Sequence, residues 1–197
     1  MLRLLIFAIL FYIIYLVLST AFEEVGFNKL EASIIVFGCI LFGLINFPIF
    51  VYKNWIIAIN LGGALLPTII SIYLIFSRKV IIRSLLGMII VAYFAYEVTF
   101  VTKEGVTSTF PYWLIPPIIA SLYSIIVSIK NKKKAASIAY SSGTIGVIIG
   151  ADLLHLKELL EIKIKEMTVA SIGGASILDM VFLTGIIAVL IDALLYD

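Results

Sequence analysis

Two aspartates are the residues of this chain best placed to do chemistry. Asp152 ends the run Gly150-Ala151-Asp152, followed by Leu153-Leu154-His155, and Asp179 closes the run 172–179, Ile-Gly-Gly-Ala-Ser-Ile-Leu-Asp. Both lie in strongly apolar sequence on either side of one hydrophilic excursion, and carboxylates in such surroundings are costly enough to need a reason. If they approach each other they cannot both ionise cheaply, so the pair holds one proton between them. One carboxylate then serves as base towards a water while the other donates to a carbonyl, the chemistry of peptide hydrolysis. A structural pair, hydrogen-bonded to Ser, Thr or Asn, is the plainer alternative. His155 is three residues beyond Asp152 and shares its helix face. It either interacts with that carboxylate or sits in the headgroup region.

The elements that must position these groups are membrane helices. Hydrophobic residues make up 63% of the 197, charged residues only 13%, and mean hydropathy is +1.21. A soluble domain carries roughly a quarter charged residues, and apolar runs of about twenty residues recur here. Period-two alternation is absent, so an all-α, polytopic bundle of about seven transmembrane helices is expected, several broken by Pro or Gly. The whole chain, 1–197, reads as a single transmembrane domain whose first partner is the lipid bilayer. Basic residues cluster at span ends and form no folded basic face, which excludes nucleic acid as a partner. Cys39 lies inside an apolar run and reads as a small packing residue. No cofactor is expected, and one His without ligand-type spacing gives no metal site.

The expected spans run from about residue 4 to 18, 32 to 52, 55 to 76, 80 to 101, 111 to 129 and 135 to 156, with a last one starting between 168 and 175 and ending near 195. Arg3, the first apolar run and Ser19-Thr20-Ala21 share features with a signal peptide, but the run continues to Phe22 and is read as a span. Lys53 and Asn54 make a tight turn. Residues 157–168, alternating charge and aliphatics, form an interfacial or extramembrane segment between spans six and seven. Tyr112 and Trp113 read as an interfacial belt, and the prolines around them start or bend the fifth span. Alternate loops hold Lys29, then Arg78, Lys79 and Arg83, then Lys130, Lys132, Lys133 and Lys134, which puts the N-terminus out and the C-terminus in.

Reading depth from these spans gathers a polar layer near the outer side. Asn46, Asn60, Glu97, Pro116 and Asp152 fall at similar levels, Asp152 roughly 6 Å inside. Asp179 joins them if its helix begins near Ala175, with 171–174 as an irregular lead-in. Glu97 can also snorkel to the interface, and Asn46 and Asn60 are as readily interhelical glue as ligand contacts. Gly62, Gly63, Gly173 and Gly174 suit close packing better than a phosphate cradle, for no Walker Lys accompanies them. Asp192 reads as a solvated helix-end residue. Leu61-Gly62-Gly63-Ala64 and Ile172-Gly173-Gly174-Ala175 echo one another, hinting at a parallel duplication.

Several stretches carry a resemblance: Asn46-Phe47-Pro48, residues 60–67, residues 111–117, residues 142–152 and residues 173–185. In these the chain resembles an uncharacterised, domain-of-unknown-function family of multi-pass prokaryotic, largely archaeal, membrane proteins, which supplies no activity. A weaker resemblance is to the presenilin and signal-peptide-peptidase type of intramembrane aspartyl protease. It implies Asp152 and Asp179 as catalytic dyad and a transmembrane peptide as substrate. Ala151 stands where that type has Tyr, the Gly-x-Gly-Asp spacing is broken before Asp179, and no Pro-Ala-Leu motif follows. Two other readings stay open: a small proton- or cation-coupled transporter using the same aspartates as ion site, and a non-catalytic membrane scaffold. Each is compatible with an oligomer.

Overall fold

The structure is a computed structural model and describes residues 1–196. Eight α-helices carry it among these residues: α1 Leu2–Val25, α2 Lys29–Phe42, α3 Leu66–Ser77, α4 Ile81–Val98, α5 Ile115–Ser128, α6 Ala135–Val147, α7 Leu156–Glu161 and α8 Met180–Tyr196. Three helical stretches, Arg3–Val25, Ile81–Val98 and Lys132–Glu161, are long and apolar enough to cross a membrane. Leu61–Ser77, Tyr112–Ser128 and Met180–Tyr196 are apolar but shorter. The outward faces are greasy: Leu4, Phe7, Ile69, Ile82, Ile89 and Ile126 all stand exposed. Such a surface suits lipid, which does not penalise it.

The all-α expectation needs correcting. Five strands are present: β1 Asn46–Tyr52, β2 Trp55–Asn60, β3 Thr99–Thr102, β4 Gly105–Ser108 and β5 Thr168–Ile172. β1 and β2 form an antiparallel hairpin, β5 adds to β2 in parallel, and β3 pairs with β4. The runs 32–52 and 55–76 are therefore each half helix and half strand. α2 starts at a capping box, with Asn28 Oδ1 accepting from Glu31 N at 3.0 Å and Glu31 Oε2 accepting from Asn28 N at 2.9 Å. It stops at Phe42. Pro48 lacks an N–H and is tolerated on the edge strand β1, and Lys53, at φ +53°, makes the expected turn. Neither strand alternates, because β1 is exposed along its whole length and β2 is largely buried. Hydropathy alone cannot separate such strands from short apolar helices.

The last helix also starts later than expected, at Met180. Residues 168–172 are spent on β5, and Gly173, at φ +70°, turns the chain out of it. The helix α7, Leu156–Glu161, overlaps the start of the expected 157–168 excursion, and Leu159 packs with Trp55, Ile57 and Ala170 as a small second core. Trp55 Nε1 donates to Ile162 O at 3.1 Å and Asn54 Nδ2 to Ile164 O at 2.9 Å, tying this excursion to the hairpin.

α6 is the axis of the bundle, buried along nearly its whole length and packed against α3, α4, α5 and α8. The β1–β2 hairpin, the β3–β4 hairpin and the α7–β5 segment are the connections between α2 and α3, α4 and α5, and α6 and α8. All three line one cleft, so they gather at one end of the bundle. At the other end, Arg78 after α3 donates to Val25 O and Gly26 O where α1 finishes.

β2 leads through Gly62 and Gly63 into a π turn, Leu61–Leu65, and α3; β5 leads through Gly173 and Gly174 into a 3₁₀ turn, Ser176–Leu178, and α8. The two corners nest so tightly that a Cβ on Gly63 would lie 2.2 Å from Gly173 O, and one on Gly173 would lie 2.6 Å from Ala64 Cβ. Gly63→Ala is therefore expected to destabilise by about 1–3 kcal/mol. Gly38→Ala in α2, whose Cβ would meet Leu66 Cδ2 at an ordinary 3.4 Å, is expected to be neutral or mildly stabilising. Thermal unfolding of the purified chain in detergent checks both.

Candidate functional site

The site begins with two irregular turns. Within the long helical stretch ending at Glu161, residues Ile148–Leu153 form a π turn. Such a wide turn shifts the register of side chains along a helix and is frequent at functional positions. Asp152 sits in it, half-buried, and opens on the cleft. Asp179 sits between the 3₁₀ turn and α8, in extended conformation. Its Oδ1 accepts from Val181 N at 2.9 Å and its Oδ2 from Ala175 N at 3.2 Å. It thus caps the first turn of α8, whose leading N–H groups lack helical partners. Among the described residues no protein donor reaches the carboxylate of Asp152.

Both aspartates line the same cleft, of about 840 Å³. Its walls include β4, the outer side of β5, Ile57, Trp113 and Met180. In the three-stranded sheet β5 is an edge, and in the two-stranded sheet each strand has one free edge. Consecutive residues of both strands, 105–108 and 169–172, face the cleft.

Of the polar layer read from sequence, the cleft takes only some members. Asn46 and Gly174 line it with the two aspartates. Asn60 does not: it is 0% exposed and works as a fastener. Its Oδ1 accepts from Gly62 N at 3.1 Å and Gly63 N at 2.7 Å, while its Nδ2 donates to Gly43 O at 2.8 Å and Asn46 Oδ1 at 3.0 Å. Asn46 Oδ1 also accepts from Ser171 Oγ at 2.7 Å, so one polar chain crosses β2, β1 and β5 at the cleft. Gly173 forms the buried corner described above. Glu97 is exposed at the end of α4 and Pro116 is buried in the first turn of α5; neither lines the cleft.

His155 is 5% exposed and does not line the cleft. Its ring stacks on Tyr96 with centroids 4.4 Å apart, Nδ1 meets Glu158 Oε2 at 3.0 Å and Nε2 meets Tyr96 O at 3.2 Å. The last contact adds to the Thr99 N–H and hydroxyl that already meet the same carbonyl at the end of α4. Its three-residue spacing from Asp152 assumed an unbroken α-helix, and the π turn breaks that geometry. Asp192 is corrected outright. It is 1% exposed, far from solvated, and accepts from Ser121 Oγ and Ser124 Oγ. Sequence reasoning missed Trp113, Ser171 and the β4 residues as cleft walls. The one signal was 168–172, a β-branched-rich stretch too short to tell from a helix start.

The bundle and its cleft define a multi-helix apolar protein with a carboxylate-lined pocket at one end. Residues 9–191 match the model of a family described as "Protein of unknown function (DUF1614)", and the chain belongs to that family. No curated protein and no solved structure matches it.

Because Asn60 holds two backbone donors and one backbone acceptor in a buried place, Asn60→Ala leaves them all unpaired. A loss of roughly 2–4 kcal/mol is expected, by the cost of stranded buried polar groups. Asn46→Ala, at an exposed residue, is expected to cost less than half of that. Chemical unfolding of the two variants side by side checks the order.

Proposed function

We propose that this protein is an intramembrane aspartyl-protease-like enzyme that uses Asp152 and Asp179 to hydrolyse a transmembrane peptide. The observation that carries the reading is that these two residues, twenty-seven apart in sequence, line one cleft. The asymmetry between them supports a division of labour. Asp179, its two oxygens fixed by backbone N–H groups, is oriented to take a proton from a water in the cleft. Asp152 has no such donors; it carries the shared proton and gives it to the peptide carbonyl oxygen as the water oxygen bonds to carbon. The tetrahedral intermediate collapses with C–N cleavage, and a proton passes to the departing nitrogen. Free strand edges along the cleft supply backbone donors and acceptors of the kind an extended substrate needs.

In the same reading the chain crosses the bilayer seven times, by α1 to α6 and α8. Arg78, Lys79, Arg83 and Lys130 to Lys134 lie at the end away from the cleft. The positive-inside rule then puts the cleft and the N-terminus outside and the C-terminus inside. The site is thereby a few ångström from water, which hydrolysis requires.

A second reading, a small proton- or cation-coupled transporter, is favoured by one observation. β2 and β5 are parallel neighbours, and each runs through Gly-Gly into an irregular turn and an apolar helix. That is the pattern a parallel internal repeat would leave.

Reconstituted with a reporter helix, the wild-type chain is expected to cleave it, and Asp152→Ala and Asp179→Ala are each expected to lower the rate at least about a thousandfold. Cleavage that survives either substitution contradicts the enzyme reading. Cation- or pH-driven uptake into vesicles without any cleavage would favour the transporter.

A further inference from the structure

Asp192 is a buried carboxylate for which the cleft chemistry has no use. It lies on α8 thirteen residues beyond Asp179, roughly 20 Å along the helix at 1.5 Å per residue. Among the described residues no Lys or Arg forms an ion pair with it. Ser121 Oγ approaches Oδ1 at 2.6 Å, and Ser124 Oγ approaches Oδ2 at 2.5 Å and Ser121 O at 2.7 Å. These are three short oxygen–oxygen contacts, but two hydroxyl groups supply only two hydrogens. Either the Ser124 hydrogen is shared between the carboxylate and the Ser121 carbonyl, or Asp192 itself carries a proton and donates to Ser124.

A second observation points to the same place. Ser128 follows Ser121 and Ser124 on one face of α5, and its hydroxyl is buried, 0% exposed, without a partner among the described residues. Ser137, in the first turn of α6 at the same end of the bundle, is likewise buried and without a side-chain partner among the described residues. An isolated buried carboxylate among hydroxyls needs a compensating charge. We propose that Asp192, Ser121 and Ser124 form a binding site for one monovalent cation, a proton or a sodium ion, with Ser128 as the neighbouring oxygen donor. The site lies at the end of the bundle away from the cleft, one helical turn from Tyr196. The Tyr196 hydroxyl donates to Ile125 O, and Lys132 Nζ stands 4.9 Å from the centre of its ring. The side-chain groups in hydrogen-bond contact with Asp192 among the described residues are the Ser121 and Ser124 hydroxyls. The inference is independent of the reading of the cleft.

The purified full chain in detergent tests it through two arms. In one, sodium chloride replaces N-methylglucamine chloride at fixed ionic strength and alkaline pH. In the other, pH is lowered from about 9 to about 5 without sodium, across the range where a bound proton would distinguish the native state. An ion held only by the folded form raises the unfolding midpoint, here by about 5 °C near saturation. Asp192→Asn keeps the shape and the hydrogen bonds of a protonated acid, so it is expected to fold and to lose the response in that arm. Ser124→Ala is expected to weaken it. Loss confined to the sodium arm identifies sodium as the occupant. Loss confined to the acid arm, with disappearance of a carboxylic-acid infrared band in Asp192→Asn, identifies a proton. No response in either arm, or the same response in Asp192→Asn as in wild type, overturns the proposal.

Discussion

The contact on which the rest of this protein depends is the nesting of two glycine corners. Gly62 and Gly63 leave β2, Gly173 and Gly174 leave β5, and the backbones approach more closely than any Cβ allows. Parallel pairing of β2 with β5 brings the corners level, and the Asn60 side chain holds the first of them shut. From there the second corner determines where α8 begins. With α8 starting at Met180, Asp179 falls at its cap, in the cleft wall rather than deep in the bundle. A side chain in either corner would move the helix and with it the carboxylate.

The same end of the bundle shows why strands occur in so apolar a chain. Backbone outside a helix must find partners, and in an apolar setting a small sheet is the economical way to supply them. β2 and β5 satisfy each other, while the outer side of β5 and one side of β4 stay available along the cleft. The cleft is thus lined by strand residues and by two carboxylates together. The π turn at 148–153 completes it by presenting Asp152 to the cleft, whereas His155, beyond the turn, packs on Tyr96.

Much of the helical frame was legible in the sequence, because hydropathy reports apolar runs well. α1, α4, α5 and α6 fall close to their expected places. The hairpin of β1 and β2 was not legible, since one strand is exposed on both faces and the other is mostly buried, and neither alternates. β5 was hidden for the same reason, in a stretch of five residues. Asp152 and Asp179, singled out as carboxylates in apolar sequence, do line one cleft. The company they keep was not legible: depth along a presumed helix placed Glu97 and Pro116 beside them, and the true neighbours, Ser171, Trp113 and β4, come from strands and turns. Asp192 misled for a further reason. Its position near the chain end suggested solvent, and only the packing of α5 against α8 shows that it is enclosed.

Whether the two cleft carboxylates act as one unit is measured most directly by a double-mutant cycle on cleavage of a membrane-spanning reporter. Asp152→Asn, Asp179→Asn and the double variant are compared with wild type. Groups that share one proton fail together, so the double variant should be no slower than the slower single variant. Rate losses that simply multiply would mean two independent carboxylates and would contradict the account.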